Sequence, residues 1–400
     1  MRNPHPIDTP PAPFDIQRQC PYPPVGTMSL ADRLPRTVQT ILDGVEKGWH
    51  HGIQLYVSRN GETIADDAIG TGGEVDGKPR SFDSRTLMLW LSSGKPVTAV
   101  AVMRLVERGL VDLDTAAAEY VPEFGTRGKE RITLRHLLTH TAGLEPVLSG
   151  WPHQPWDSIV QRVCEAGIQD GFVVGESAAY DPARTWFLLG EIVRRIEGRD
   201  IEHVVREEIL EPLGMTDSWM AIPKQIHRAY GDRIGVMYSV KDGSLHATHG
   251  HQEDVCRAPS PGGSCRGPAR ELGRFYEMLL AGGRAGERQI LAPETVALMT
   301  QRHREDCFDQ TFKHRVDFGL GVIVNSNRYG PDTVPYGFGK HSSDLAFGHG
   351  GAQSSIGFAD PTHGLAVAAV ANGCPGEPAH NKRFRILLTT LYEELGLSGA

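Results

Sequence analysis

The sequence predicts a mixed α/β fold: an antiparallel sheet flanked by helices, with a mostly helical region inserted between its strands. Two observations carry this. Strand-like runs occur early, at Ile53–Gly70, and strand character returns late, from Val316 to Gly373. Between about 130 and 315 the apolar residues recur at helical spacing, broken by Pro/Gly loops. Strands at both ends of a chain with helices between them build one sheet from the two termini. The expected division is a Pro-rich arm over 1–27 and one domain over 28–400, with sheet regions at 28–110 and 316–400 and the helical insert at 111–315.

Each element has a local reason. The opening stretch MRNPHPIDTPPAPFDIQRQCPYPPVG is proline-rich and lacks the apolar centre of a secretory leader, so it reads as an extended arm or disorder. Residues 37–48 read as a helix. In Ile53–Gly70 the dipeptide Asn60-Gly61 marks a hairpin. A helix opens near Ser92, and its Val97, Ala99, Val100, Val102, Met103 and Leu105 make it apolar on nearly every side, as in a buried helix. Gly109 ends it. Further helices are expected at Ile132–Leu144, ending at Gly143, at Trp186–Gly198 and at Ala269–Arg284. Val316–Asn325 reads as a strand, and Ala346–Gly373 as two runs joined at Asp360–Gly364. The amphipathic stretch NKRFRILLTTLYEELGL closes the chain as a helix.

Composition excludes several classes. The formal net charge of −8 over 400 residues, without a Lys/Arg-rich block, argues against a nucleic-acid partner. No stretch reaches the roughly 18–20 apolar residues of a spanning helix, so no membrane partner is expected. Six scattered cysteines with no Cys-x-x-Cys pair fit reduced thiols, and the expected location is the cytoplasm. No cofactor and no metal are implied: His246, His249 and His251 fall in a Gly-rich loop without ligand spacing, and His303, Asp306 and His314 form no recognisable set.

The stretch Leu91–Val100, LSSGKPVTAV, places a lysine at the foot of the most apolar helix. Ser92 and Lys95 stand three apart and share a helical face. A buried lysine loses affinity for its proton and can take one from a serine hydroxyl. Free N–H groups at the helix start favour developing negative charge there, and Pro96 is tolerated only in a first turn. Ser and Lys at this spacing are also a common pair, and alone they do not separate catalysis from coincidence. A phosphate-binding loop at Gly94-Lys95 fails, because position 89 is not glycine and no Ser/Thr follows the lysine.

Taken in order, SSGK before a buried helix, ITLRHLLTHTAGL, and PLGMTDSW at Pro212–Trp219 resemble the β-lactamase-related serine hydrolases from about residue 35 onward. That group includes class C β-lactamases, DD-peptidases, D-aminopeptidases, family VIII esterases and some acyltransferases. The resemblance implies a serine β-lactamase/DD-peptidase-like fold. It makes Ser92 the nucleophile and Lys95 its base. It also makes Tyr180, in AAYDPARTWFLLGEIV, the counterpart of the family's Tyr-x-Asn, with a phenol pKa lowered by the nearby ammonium. Pro182 stands where the family has asparagine, which removes an amide that binds peptide-like acyl groups. His349-Gly350-Gly351 matches the third motif, Lys-Thr-Gly in β-lactamases and His-x-Gly in other members. The backbone N–H groups of Ser92 and Ala352 would then form the oxyanion hole. By residue type alone, Tyr180 and His349 also suit a core tyrosine and an edge-strand histidine. Gly262 and Gly263 read as shaping a loop near the site, and Cys265 as packing. Trp151, Trp156 and Trp186 are candidates for an acyl-pocket wall or plain core.

Together these readings predict a serine hydrolase that forms an acyl-enzyme on Ser92 and cleaves a small carboxylic ester or amide. A biosynthetic acyltransferase using the same site is the alternative. A β-lactamase or D-Ala-D-Ala peptidase fits less well, and a catalytically silent binding homologue is the non-enzyme reading.

Overall fold

The computed structural model describes residues 30–398, so the arm over 1–27 and Cys20 lie outside the described residues. Its centre is a seven-stranded antiparallel sheet. The strands are β1 (Gly52–Arg59), β2 (Glu62–Gly70), β3 (Asp317–Phe318), β4 (Ile323–Val324), β5 (Phe347–Gly351), β6 (Ser355–Asp360) and β7 (Leu365–Ala371). Their order across the sheet is β3-β4-β5-β6-β7-β1-β2, so the early hairpin pairs with the last strand, Tyr56 opposite Ala368. Five helices matter for the site: α1 (Pro35–Glu46), α2 (Lys95–Glu107), α3 (Arg184–Glu197), α4 (Ala269–Leu280) and α5 (Glu377–Glu394).

β7, LAVAAVA, is apolar throughout because it is covered on both faces. Side chains alternate along a strand, so Leu365, Val367, Ala369 and Ala371 join one core with Phe384, Leu387 and Leu391 of α5. Ala366, Ala368 and Val370 face the other core, with Leu272, Phe275 and Tyr276 of α4. Gln54, buried in β1, accepts from the Ala269 N–H and fixes the start of α4 on the sheet. At the edge of the α5 layer, the Glu394 carboxylate accepts from Arg36 N–H, Thr37 N–H and the Thr37 hydroxyl, clasping α1 to the end of α5.

Three expected elements are subdivided. Ala346–Asp360 is two strands, β5 and β6, joined by a tight turn at Ala352–Ser354 with Gln353 at φ +52°. Val316–Asn325 is a hairpin, β3 and β4, turning through Gly321 at φ +77°. The expected helix at Ile132–Leu144 stops after Leu134–Leu138, because His140 takes φ +58° and turns its ring inward against Tyr180 and Phe318. Among the described residues no helix is long and apolar enough to cross a membrane.

Candidate active site

The site forms where the start of α2 meets β5. Leu91 takes φ +51°, a conformation that costs a branched side chain free energy, and swings the chain out of Trp90 into one 3-10 turn, Leu91–Gly94. α2 follows at Lys95, with Pro96 in its first turn where no N–H is missed. Ser92 and Lys95 therefore share a face, and Lys95 Nζ donates to Ser92 Oγ at 3.0 Å. The same nitrogen donates to the carbonyls of Pro182 at 2.8 Å and Gly262 at 2.5 Å. It lies over the rings of Trp186 and Tyr180, 5.2 and 5.4 Å from their centroids.

This environment sets the proton chemistry. Lys95 is fully buried, and burial pushes its pKa down to about 7, with the charge of Asp181 resisting the shift. As an ammonium it donates to all three oxygens. As a neutral amine it keeps its two N–H groups on the two carbonyls and turns its lone pair to the Ser92 hydroxyl. Position 182 thus serves the lysine through its backbone, which proline supplies as well as any residue.

Tyr180 is held from both sides of its peptide unit: its N–H donates to Asp309 Oδ1 at 3.0 Å and its carbonyl accepts from Thr311 Oγ1 at 2.9 Å. Asp309 is buried and paired with buried Arg304 at 3.0 Å. The phenol stacks on Phe312, 4.6 Å between centroids. The expected lowering of its pKa is overturned. Burial raises it well above the ordinary phenol value, the hydrogen bond with the Ser92 side chain opposes this more weakly, and the charges of Asp181, Asp309 and Glu377 add to the rise. The shift favours the protonated phenol.

β5 brings up His349, Gly350 and Gly351. Ser93 Oγ donates to the His349 carbonyl and bonds Ser355 Oγ, both at 2.9 Å, stitching the turn of Ser92 to the strand. The fit leaves no room at the glycines: a Cβ on Gly351 would lie 2.3 Å from the Trp90 carbonyl, and one on Gly350 would lie 2.1 Å from the Tyr336 ring. Beyond them, neither the Ser92 nor the Ala352 N–H has a protein acceptor among the described residues. His349 is buried, with Nδ1 2.7 Å from the Gly350 carbonyl; burial and the Lys95 charge push its pKa down to about 3, so the ring is neutral. A cavity of about 400 Å³ opens over these groups, bordered by Ser92, Tyr180, Pro182, Phe312, Tyr336 and His349. A larger cleft of about 710 Å³, bordered by Arg274 and Glu277, shares no lining residue with it.

Trp151, Trp156 and Trp186 do not border the cavity; their indoles serve packing, with Trp156 donating to Glu191 and Trp151 to the Ala258 carbonyl. Cys265 packs against Gly94 and is buried, which pushes its thiol up to about 12. Sequence reasoning missed the aromatic wall of Phe312 and Tyr336, the Glu377 carboxylate, and the Asp309–Arg304 pair behind Tyr180. Only the Gly262-Gly263 pair carried a local signal of such a contribution.

A likeness to known proteins extends over most of the chain. Esterase/beta-lactamase LipL of Mycobacterium tuberculosis is 27% identical over 80% of this chain and 77% of its own length. Esterase EstB of Burkholderia gladioli is 28% identical over 80% of this chain and 86% of its own. The crystal structure of a penicillin-binding protein homologue from Caulobacter crescentus superposes with a TM-score of 0.71 at 26% identity, covering 91% of this chain and 98% of that one. The beta-lactamase family model matches residues 37–391, and with so much of its length matched this chain belongs to the beta-lactamase family.

Proposed function

We propose that the protein is a serine hydrolase that cleaves small carboxylic esters through an acyl-enzyme on Ser92. The observation that carries this is the bonding of Lys95: two carbonyls hold two of its hydrogens, and the third direction meets Ser92 Oγ at 3.0 Å. Near neutral pH a large fraction of Lys95 is the free amine, so the serine proton has an acceptor when Oγ attacks the ester carbonyl. The oxygen of the tetrahedral intermediate is placed to accept from Ser92 N–H and Ala352 N–H, each such donor being worth about 3 kcal/mol. Tyr180, as a phenol, serves as the acid that protonates the departing alkoxide, and Lys95 resets it. Water then adds to the acyl-enzyme by the same route.

Esters are preferred over penicillin-like amides because Pro182 offers no side-chain amide and His349 offers neither the charge nor the hydroxyl of a Lys-Thr motif. The relative named only as an esterase, EstB, supports the same choice. Cys164, Cys256, Cys265, Cys307 and Cys374 are free thiols, which supports a cytoplasmic location. A fluorophosphonate probe tests the proposal: it is expected to label Ser92 in the native protein and to fail on Ser92→Ala. An unlabelled Ser92, together with unchanged p-nitrophenyl butyrate turnover in Ser92→Ala, would refute it. Nitrocefin turnover equal to that of the ester would overturn the preference for esters.

A further inference from the structure

The 400 Å³ cavity over Ser92 is bordered by one charged side chain, and it is acidic: Glu377, in the first turn of α5. No lysine or arginine borders the cavity, and Lys95 beneath it is committed to three oxygens. Both Glu377 oxygens accept from the one hydroxyl of Tyr336, each at 2.8 Å, so a single proton serves two acceptors. Among the described residues no cationic side chain forms an ion pair with Glu377. Tyr336 is itself fixed, with φ +54°, its ring against Phe312 and its edge in the space that Gly350 leaves. The carboxylate is therefore aimed rather than loosely displayed. Burial raises the carboxyl's own pKa and the Tyr336 hydrogen bond opposes this; ionised, it is one of the three charges that push the Tyr180 phenol up.

From this geometry we infer that Glu377 is a specificity-determining residue that selects esters carrying a cationic group and rejects those carrying a carboxylate. The inference rests on the serine-ester reading above and names its substrate class. An ammonium or guanidinium on the substrate would complete the coordination of the carboxylate and replace the water it gives up. A carboxylate there would meet a like charge in a half-closed, partly apolar space with no cation to pair it. The neutral acyl remainder lies against Phe312 and Tyr336.

The test measures kcat/KM on two matched sets. One varies the acyl half: p-nitrophenyl esters of pentanoate, of glutarate as its half-ester, and of 4-(trimethylammonio)butyrate. The other varies the alcohol half: butyrate esters of choline, of 3,3-dimethylbutanol and of 4-hydroxybutanoate. In at least one set the cationic ester is expected to exceed the anionic one by about tenfold or more, the effect of roughly one charge contact in a partly solvated site. In Glu377→Gln, which keeps an acceptor for Tyr336, that ratio is expected to fall to within about twofold. Equal rates across both sets, a preference for the anion, or an unchanged ratio in Glu377→Gln would overturn the role of Glu377 while leaving the hydrolase intact. No turnover of any ester, with no fluorophosphonate label on Ser92, would overturn both.

Discussion

The molecule buries two lysines in nearly the same way, and only one of them faces a reactive group. Lys95 and Lys129 are both inaccessible to solvent. Lys129 donates to the carbonyls of Thr126 and Ala166 and lies 5.2 Å from the Phe124 ring centroid, just as Lys95 donates to two carbonyls and lies over Tyr180 and Trp186. Burial lowers the pKa of both. Two things differ: the shift carries Lys95 to about 7 and is smaller at Lys129, and the third partner of Lys95 is a serine hydroxyl at the floor of a cavity. Burial makes a base available, and geometry decides whether it has anything to deprotonate.

Breaking the pair at Lys95 is the severest test. Lys95→Met is expected to lower kcat by about a thousandfold or more on p-nitrophenyl butyrate, because in the proposed mechanism nucleophile and base act as one unit. Tyr180→Phe comes next, with a loss of about a hundredfold, the scale of one general acid. That loss should shrink with p-nitrophenyl esters, whose leaving group needs no proton, and grow with alkyl esters. In native protein, kcat/KM is expected to fall about tenfold for each pH unit below 7, as Lys95 takes up a proton, and to level off above it.

Stability carries the same titration with a definite sign. Folding holds Lys95 at about 7 against an ordinary 10.5, so between those values the unfolded chain binds the extra proton. This site therefore makes stability rise with pH across that window, by at most about 1.4 kcal/mol per unit, and below it the penalty is complete. Denaturant unfolding of Lys95→Met at pH 6 and pH 9 should show that this contribution has gone. The mildest change is Lys129→Met. Its kcat/KM is expected to stay within about twofold of native, while stability falls by roughly 1–3 kcal/mol because two buried carbonyls lose their donor. A large loss of activity in Lys129→Met would break the comparison.

Much of this was legible in the sequence, because the signals were local. The strand-like runs around Asn60-Gly61 expose the early hairpin, and Ser92, Lys95, Tyr180 and His349 stand in recognisable runs. What was not legible depends on tertiary contact. The break between β5 and β6 is hidden because Gly348, Gly350 and Gly351 suit strand and turn alike, and the choice is made by packing against Trp90 and Tyr336. His140 sits in an apolar helical pattern, yet it adopts φ +58° because its ring is drawn into the site and its Nδ1 accepts from the Asp181 N–H. The direction of the Tyr180 shift follows from how deeply the ring is enclosed, which no spacing reveals. Glu377 and Tyr336 lie far apart in the chain with no motif between them, and they meet because the segment 336–340 runs along α5, where the Lys340 N–H donates to Thr389 Oγ1 and Gly339 lies against Leu388.

The pairing of β1 with β7 also has a consequence for the order of synthesis. β7 lies between β6 and β1, so the early hairpin has no neighbour in the sheet until the last strand has been made. An isolated two-stranded hairpin is marginal in water. A nascent chain that has reached residue 346 already carries Ser92, Lys95 and Tyr180, but it lacks Ala352, Glu377 and the strand that binds its beginning to its end. Such long-range closure slows folding. Under the proposed mechanism, a chain stopped before residue 352 would hold the proposed nucleophile and base without the proposed oxyanion hole, so ester cleavage would await the completed C-terminal strands.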